Sequence, residues 1–154
     1  MFIGASFTTL GYEKRLFISC QVENHHSMAQ FGEGMHDPLT GLLTPAYFYE
    51  SAERLLSWAE RSHQPVSLIS VKLESVDDDE LTRCARQISS ELRGGDLLSR
   101  MGIYTFALLL LGNELGARQL IFRLSNTVKS SIFYESTPIE IGEGIEAGLA
   151  RLAI

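Results

Sequence analysis

The spacing of apolar residues switches repeatedly between the period of a helix and that of a strand, and this alternation sets the class of fold. In Pro45 to Ser62, the residues Phe48, Ala52, Leu55, Leu56 and Ala59 share one helical face, with Thr44 as N-cap and Pro45 in the first position. Pro65 ends that pattern, and Val66 to Leu73 reads as a strand. Leu81, Cys84, Ala85, Ile88 and Leu92 then keep helical spacing until Gly94-Gly95 stops the helix. Leu97 to Met101 and Tyr104 to Leu111 are two short apolar strands joined through Gly102-Ile103, although isoleucine suits a turn of positive φ poorly. After Gly112 the spacing predicts a helix through Ala117, Ile121, Leu124, Val128 and Ile132, and a last strand near Ile145 to Leu152. Helix, strand, helix, hairpin, helix, strand is the order of an α/β sandwich, a mixed central sheet flanked by helices.

Composition narrows the function classes. With 154 residues and 45% hydrophobic content the chain has material for one cored domain, which excludes a disordered segment or a disulfide scaffold. A formal charge of −6 is the wrong sign for holding duplex nucleic acid or anionic lipid by bulk electrostatics, so a phosphate-bearing partner needs a local basic site. Cys20 and Cys84 lie in apolar-patterned segments without metal-ligand spacing, which points to reduced thiols and a cytoplasmic location. The longest apolar run, Phe106 to Leu111, is too short to span a bilayer, and no export signal opens the chain, so no direct membrane insertion is expected. Residues 1–24 read as a hairpin, with Leu16, Ile18, Cys20 and Val22 alternating in its second arm. Residues 25–35 read as a polar connector, and the main domain occupies 36–154.

Two stretches carry a family resemblance. His36-Asp37-Pro38-Leu39-Thr40-Gly41-Leu42, followed by a helix with Phe48, resembles the D-x-L-T-G-L opening of GGDEF domains, the fold of bacterial diguanylate cyclases. Arg93-Gly94-Gly95-Asp96, five further residues and then Gly102-Ile103-Tyr104-Thr105-Phe106 resembles that family's R-x-x-D element and its G-G-D-E-F signature turn. The resemblance implies the cyclase-like fold from His36 onward. It also implies a chemistry, the joining of two GTP into cyclic di-GMP with divalent metal gathering charge on the phosphates. The N-terminal hairpin weakly resembles the exit strands of a PAS-type sensor, and the family's closing helix after the last strand is expected to be missing.

Set against that family pattern, the reacting residues are changed. Lys72 falls where the family has a metal-binding aspartate on the first strand, and Tyr104 and Thr105 replace both acids of the signature. An ammonium cannot ligate a divalent cation, and neutral hydroxyls give a hard cation little of the anionic oxygen it requires. Ile103 puts a branched side chain where the second glycine lets a phosphate approach the backbone. The expectation is a catalytically inactive domain with no catalytic residues, no metal and no cofactor.

What survives is Arg93 and Asp96. In the family this element is an inhibitory site for the product dinucleotide, and in inactive members it can serve as a receptor site. A guanidinium can donate two parallel hydrogen bonds to guanine O6 and N7, and a carboxylate can accept from N1–H and N2–H₂. The resemblance also implies an arginine from the following helix, either Arg123 or Arg118. Cyclic di-GMP is thus the expected regulatory ligand, relayed to a protein partner or through a homodimer.

Plainer readings stand beside these. Arg93 and Asp96 could be a helix-end ion pair, Asp77-Asp78-Asp79-Glu80 is better read as a cap aligned with the helix dipole than as a metal site, and Cys84 is packing. His25, His26 and His36 read as solvated, and Trp58, Tyr47 and Tyr49 as core or rim. Tyr104 is placed to close the vacated nucleotide cleft. The rival function is a nucleotide-independent dimerisation or scaffold module. Nucleotide hydrolysis involving Asp78 is least favoured, because no substitute metal ligands are visible.

Overall fold

The computed structural model describes residues 34–154. The expected hairpin and connector lie outside the described residues, apart from the connector's last two positions. Eight elements follow in order: α1 (Pro45–Arg61), β1 (Val66–Leu73), α2 (Asp78–Ser90), β2 (Leu97–Arg100), β3 (Thr105–Leu111), α3 (Glu114–Thr127), β4 (Ile132–Ile139) and α4 (Ile145–Arg151).

The strands form one sheet in the order β2-β3-β1-β4, and every neighbouring pair is antiparallel. The sheet is therefore antiparallel rather than mixed; among the described residues parallel pairing occurs at the isolated bridge Leu43–Ser99. The central strand β1 has a layer on each face. Ile69, Val71 and Leu73 pack in one core with Leu81, Cys84 and Ile88 of α2 and Leu120 and Leu124 of α3. Val66 and Leu68 pack in the other with Phe48 and Ala52 of α1 and Ile145 and Leu149 of α4. Covering both faces is what lets β1 read as a nearly continuous buried run, because alternate side chains enter opposite cores.

Local chemistry sets the helix ends. Asp77 caps α2 by accepting from the backbone N–H of Glu80 at 2.8 Å, as the acidic run predicts. Asn113 caps α3 by accepting from Gly116 N–H at 2.9 Å. Thr44 occupies the N-cap position of α1, but its hydroxyl lies 3.5 Å from the carbonyl of Met35 instead of capping the helix.

Two sequence expectations are corrected at the C-terminal end. The third helix stops at Thr127, and Val128 is already extended, so Ile132 opens strand β4 instead of closing a helix. The expected last strand near Ile145 to Leu152 is helix α4, so a helix does follow the last strand. Ile145, Leu149 and Leu152 are spaced for one helical face, and all three are buried. Gly148 lies where a Cβ would overlap Ile139 Cδ1 and come 3.2 Å from Leu68 Cδ2, so its bare backbone lets α4 sit tightly on the sheet. The β2–β3 connection resolves the difficulty over isoleucine, since Met101 to Tyr104 form a longer loop with no residue at positive φ.

Candidate functional site

The R-x-x-D element sits between the end of α2 and the start of β2. The chain leaves α2 through Glu91 N–H to Ile88 O at 3.0 Å and Leu92 N–H to Ser89 O at 3.2 Å, then turns with Asp96 N–H donating to Arg93 O at 3.1 Å. Asp96 holds that turn with its side chain. One carboxylate oxygen accepts from Arg93 N–H at 3.0 Å, and the other from Leu111 N–H at 3.1 Å, at the end of β3. Gly95 lies against Leu111, where a Cβ would come 2.8 Å from Leu111 Cδ1. The second glycine of the turn is thus required by a close approach to β3.

Arg93 and Asp96 are brought together by backbone, and not as the helix-end ion pair of the plainer reading. The Arg93 side chain is exposed and has no hydrogen bond or ion pair among the described residues. The Asp96 carboxylate offers about four lone-pair sites and gives two to backbone donors, leaving capacity for a ligand.

The two candidate arginines of α3 separate clearly. Arg123 Nε donates to Glu91 Oε1 at 3.1 Å, which ties it to the residue two positions before Arg93. Arg118 pairs with Glu114 at 3.3 Å, one turn back on its own helix. Of the two, Arg123 is the one linked to the segment carrying the turn.

The signature turn is built differently from the family pattern. Gly102 and Met101 N–H both bond Thr105 O, at 3.2 and 2.8 Å, while Tyr104 O accepts from Leu73 N–H at 2.8 Å. Ile103 is 49% exposed at the tip, and Phe106 is fully buried against the α2–α3 layer. The Tyr104 hydroxyl is 3.3 Å from Ser75 Oγ, just past the end of β1. Lys72 stands opposite Thr105 in the β1–β3 register, and its Nζ donates to Leu152 O at 3.2 Å and Ala153 O at 3.5 Å. The ammonium therefore faces carbonyls at the end of α4, where the helix dipole favours a cation. Lys72, Tyr104 and Thr105 offer a divalent cation no carboxylate, and among the described residues no group of three or more His, Cys, Asp and Glu is arranged to hold a metal.

Sequence reasoning missed the residue that supports the turn from below. Arg100, 2% exposed, donates from one guanidinium nitrogen to both Asp37 oxygens at 3.2 and 3.1 Å and from the other to Ile103 O at 3.2 Å. Asp37 also accepts from Thr40 N–H at 2.9 Å and the Thr40 hydroxyl at 2.7 Å. The D-x-L-T stretch is thereby clamped to the signature turn. Both motifs were visible in sequence, but residues 63 apart reveal no contact by spacing.

The family model for the diguanylate cyclase, GGDEF domain matches residues 34–152. Among solved structures the chain is similar to the diguanylate cyclase SiaD of Pseudomonas aeruginosa in complex with its activator SiaC, at 22% identity and TM-score 0.69 over 82% of this chain. It spans 57% of the SiaD chain. It is also similar to the GGDEF domain of DgcB from Caulobacter crescentus in complex with c-di-GMP, at 14% identity and TM-score 0.68, covering 77% of this chain and 85% of that one. The FimX GGDEF domain of Pseudomonas aeruginosa gives 17% identity and TM-score 0.68, covering 77% and 89%. No curated protein matches at a significant level.

Proposed function

The chain belongs to the GGDEF domain family, and from that premise we propose that it is a catalytically inactive member that binds cyclic di-GMP through Arg93 and relays that state to a protein partner. The observation that carries the reading is the state of Arg93: exposed, without a partner among the described residues, and held on a turn that Asp96 fixes through two backbone N–H groups. A guanidinium kept free on a preformed turn loses little on engaging a guanine edge. Asp96 is first a positioning residue here, and its remaining lone pairs can accept from the same base. Arg123, tied to Glu91, is the arginine of α3 that completes the pocket.

Inactivity is supported by the chemistry at the signature turn. Lys72, Tyr104 and Thr105 do not fit a divalent cation, which leaves a metal-assisted phosphoryl transfer without the anionic oxygens that would seat its ion. That cyclic di-GMP is the ligand is supported by the complex of the similar DgcB domain with c-di-GMP, and a protein partner by the complex of SiaD with SiaC. Calorimetric titration tests binding: saturable heat is expected at micromolar cyclic di-GMP, abolished in Arg93→Ala. Incubation with GTP and magnesium tests inactivity, with no cyclic dinucleotide expected.

A second reading, a nucleotide-independent module that associates with a second copy, is favoured by one observation. Leu115 and Phe122 of α3, seven residues apart and so on one helical face, are 58% and 68% exposed. It expects a mass in light scattering that exceeds the monomer and ignores added dinucleotide.

A further inference from the structure

The layer of α2 and α3 contains five arginines, and three of them are neutralised. Arg83 pairs with Glu80, Arg118 with Glu114 and Arg123 with Glu91. Arg86 and Arg93 are exposed and have no hydrogen bond or ion pair among the described residues.

For Arg86 the reason is in the sequence. An arginine on a helix finds a carboxylate three or four residues away if one is present. Around Arg86 those positions hold Thr82, Arg83, Ser89 and Ser90, none of them acidic. Arg93 has Ser89 and Ser90 behind it and Asp96 ahead, and the Asp96 carboxylate is bound to backbone N–H groups. The nearest acid, Glu91, is taken by Arg123.

Seven residues apart, Arg86 and Arg93 fall on the same side of the helix, because the turn through Glu91 and Leu92 prolongs α2 up to Arg93. Their backbones are separated by about 10 Å along the axis, with the two serines between. The strip thus carries two cations and no acid on a molecule whose net charge is −6. A ligand whose base is read at Arg93 and which carries a phosphodiester meets its second cation at Arg86.

We propose that Arg86 is a phosphate-binding residue of the Arg93 site, engaging a phosphodiester of the bound guanine nucleotide. This rests on the receptor reading above. It adds a residue on the helix before the turn to those expected from the turn and from α3.

Calorimetric titration of cyclic di-GMP into the wild type, Arg93→Ala, Arg86→Ala and Arg86→Lys, each at two salt concentrations, tests it. Arg86→Ala is expected to weaken binding about tenfold and flatten its salt dependence, and Arg86→Lys to restore much of both, since a phosphate accepts a point charge. Thermal melting of Arg86→Ala should match the wild type, because an exposed side chain without partners holds nothing in place. No binding by the wild type overturns the receptor reading and this one with it. Loss in Arg93→Ala with full affinity and an unchanged salt slope in Arg86→Ala overturns only the role of Arg86. Weakening in Arg86→Ala without a change in salt slope, or with a lowered melting point, also counts against a phosphate contact.

Discussion

The Arg100–Asp37 pair is the residue-level feature on which the signature turn stands. Both side chains are almost wholly buried, at 2% and 1% exposure, so removing one partner strands a charge out of water. Arg100→Ala or Asp37→Ala is expected to cost about 3–5 kcal/mol in urea unfolding. The double variant should cost less than the sum, and a single-variant loss below about 1 kcal/mol would mean the pair is not the clamp described. Glu53 poses the opposite case. Burial, then the neighbouring Glu146, push its pKa up, and a backbone hydrogen bond at Ile145 only partly offsets them. A carboxyl with a raised folded-state pKa stabilises most below its ordinary value near 4.5, and that stability is lost as pH rises through the raised value. Glu53→Gln is therefore expected to raise the melting temperature at pH 7 and to make no difference at pH 4. A gain that persists at pH 4 would place its cause elsewhere. Sequence exposed the chemistry of Arg93 and Lys72, whose types alone carry meaning. It could not expose Arg100, whose role depends on a partner far away in the chain.

At the scale of elements, the helices and strands up to Leu111 were legible because their apolar periods are long and uninterrupted. The last third was not. The segment Ile132–Ile139 alternates half-buried and exposed residues at the sheet edge, a weak pattern easily absorbed into the preceding helix. Helix α4 is seven residues with a glycine inside, too short for its period to stand out. That glycine is also its anchor, and Gly148→Val is expected to destabilise by about 1–3 kcal/mol through overlap with Ile139 and Leu68. Unchanged stability would mean α4 docks more loosely than described. The Asp96 turn makes a sharper prediction. Asp96→Ala strips acceptors from Arg93 N–H and Leu111 N–H, costing about 1–3 kcal/mol, and should weaken dinucleotide binding even with Arg93 intact. Full affinity would show that the turn keeps its shape without the carboxylate.

On the scale of the whole molecule, the antiparallel sheet separates two places that sequence could only order along a line. The signature turn joins β2 to β3 at one end of the hairpin, and the Arg93 turn leads into β2 at the other, tied to Leu111 at the far end of β3. Change at the first can therefore proceed while the second keeps its form. Amide chemical-shift mapping with cyclic di-GMP in the absence of divalent metal tests that division most directly. Saturable shifts are expected at Arg93 to Asp96 and along the exposed side of α2 around Arg86, with Gly102 to Thr105 undisturbed. Absence of saturable shifts, or shifts centred on Gly102 to Thr105, would contradict the account.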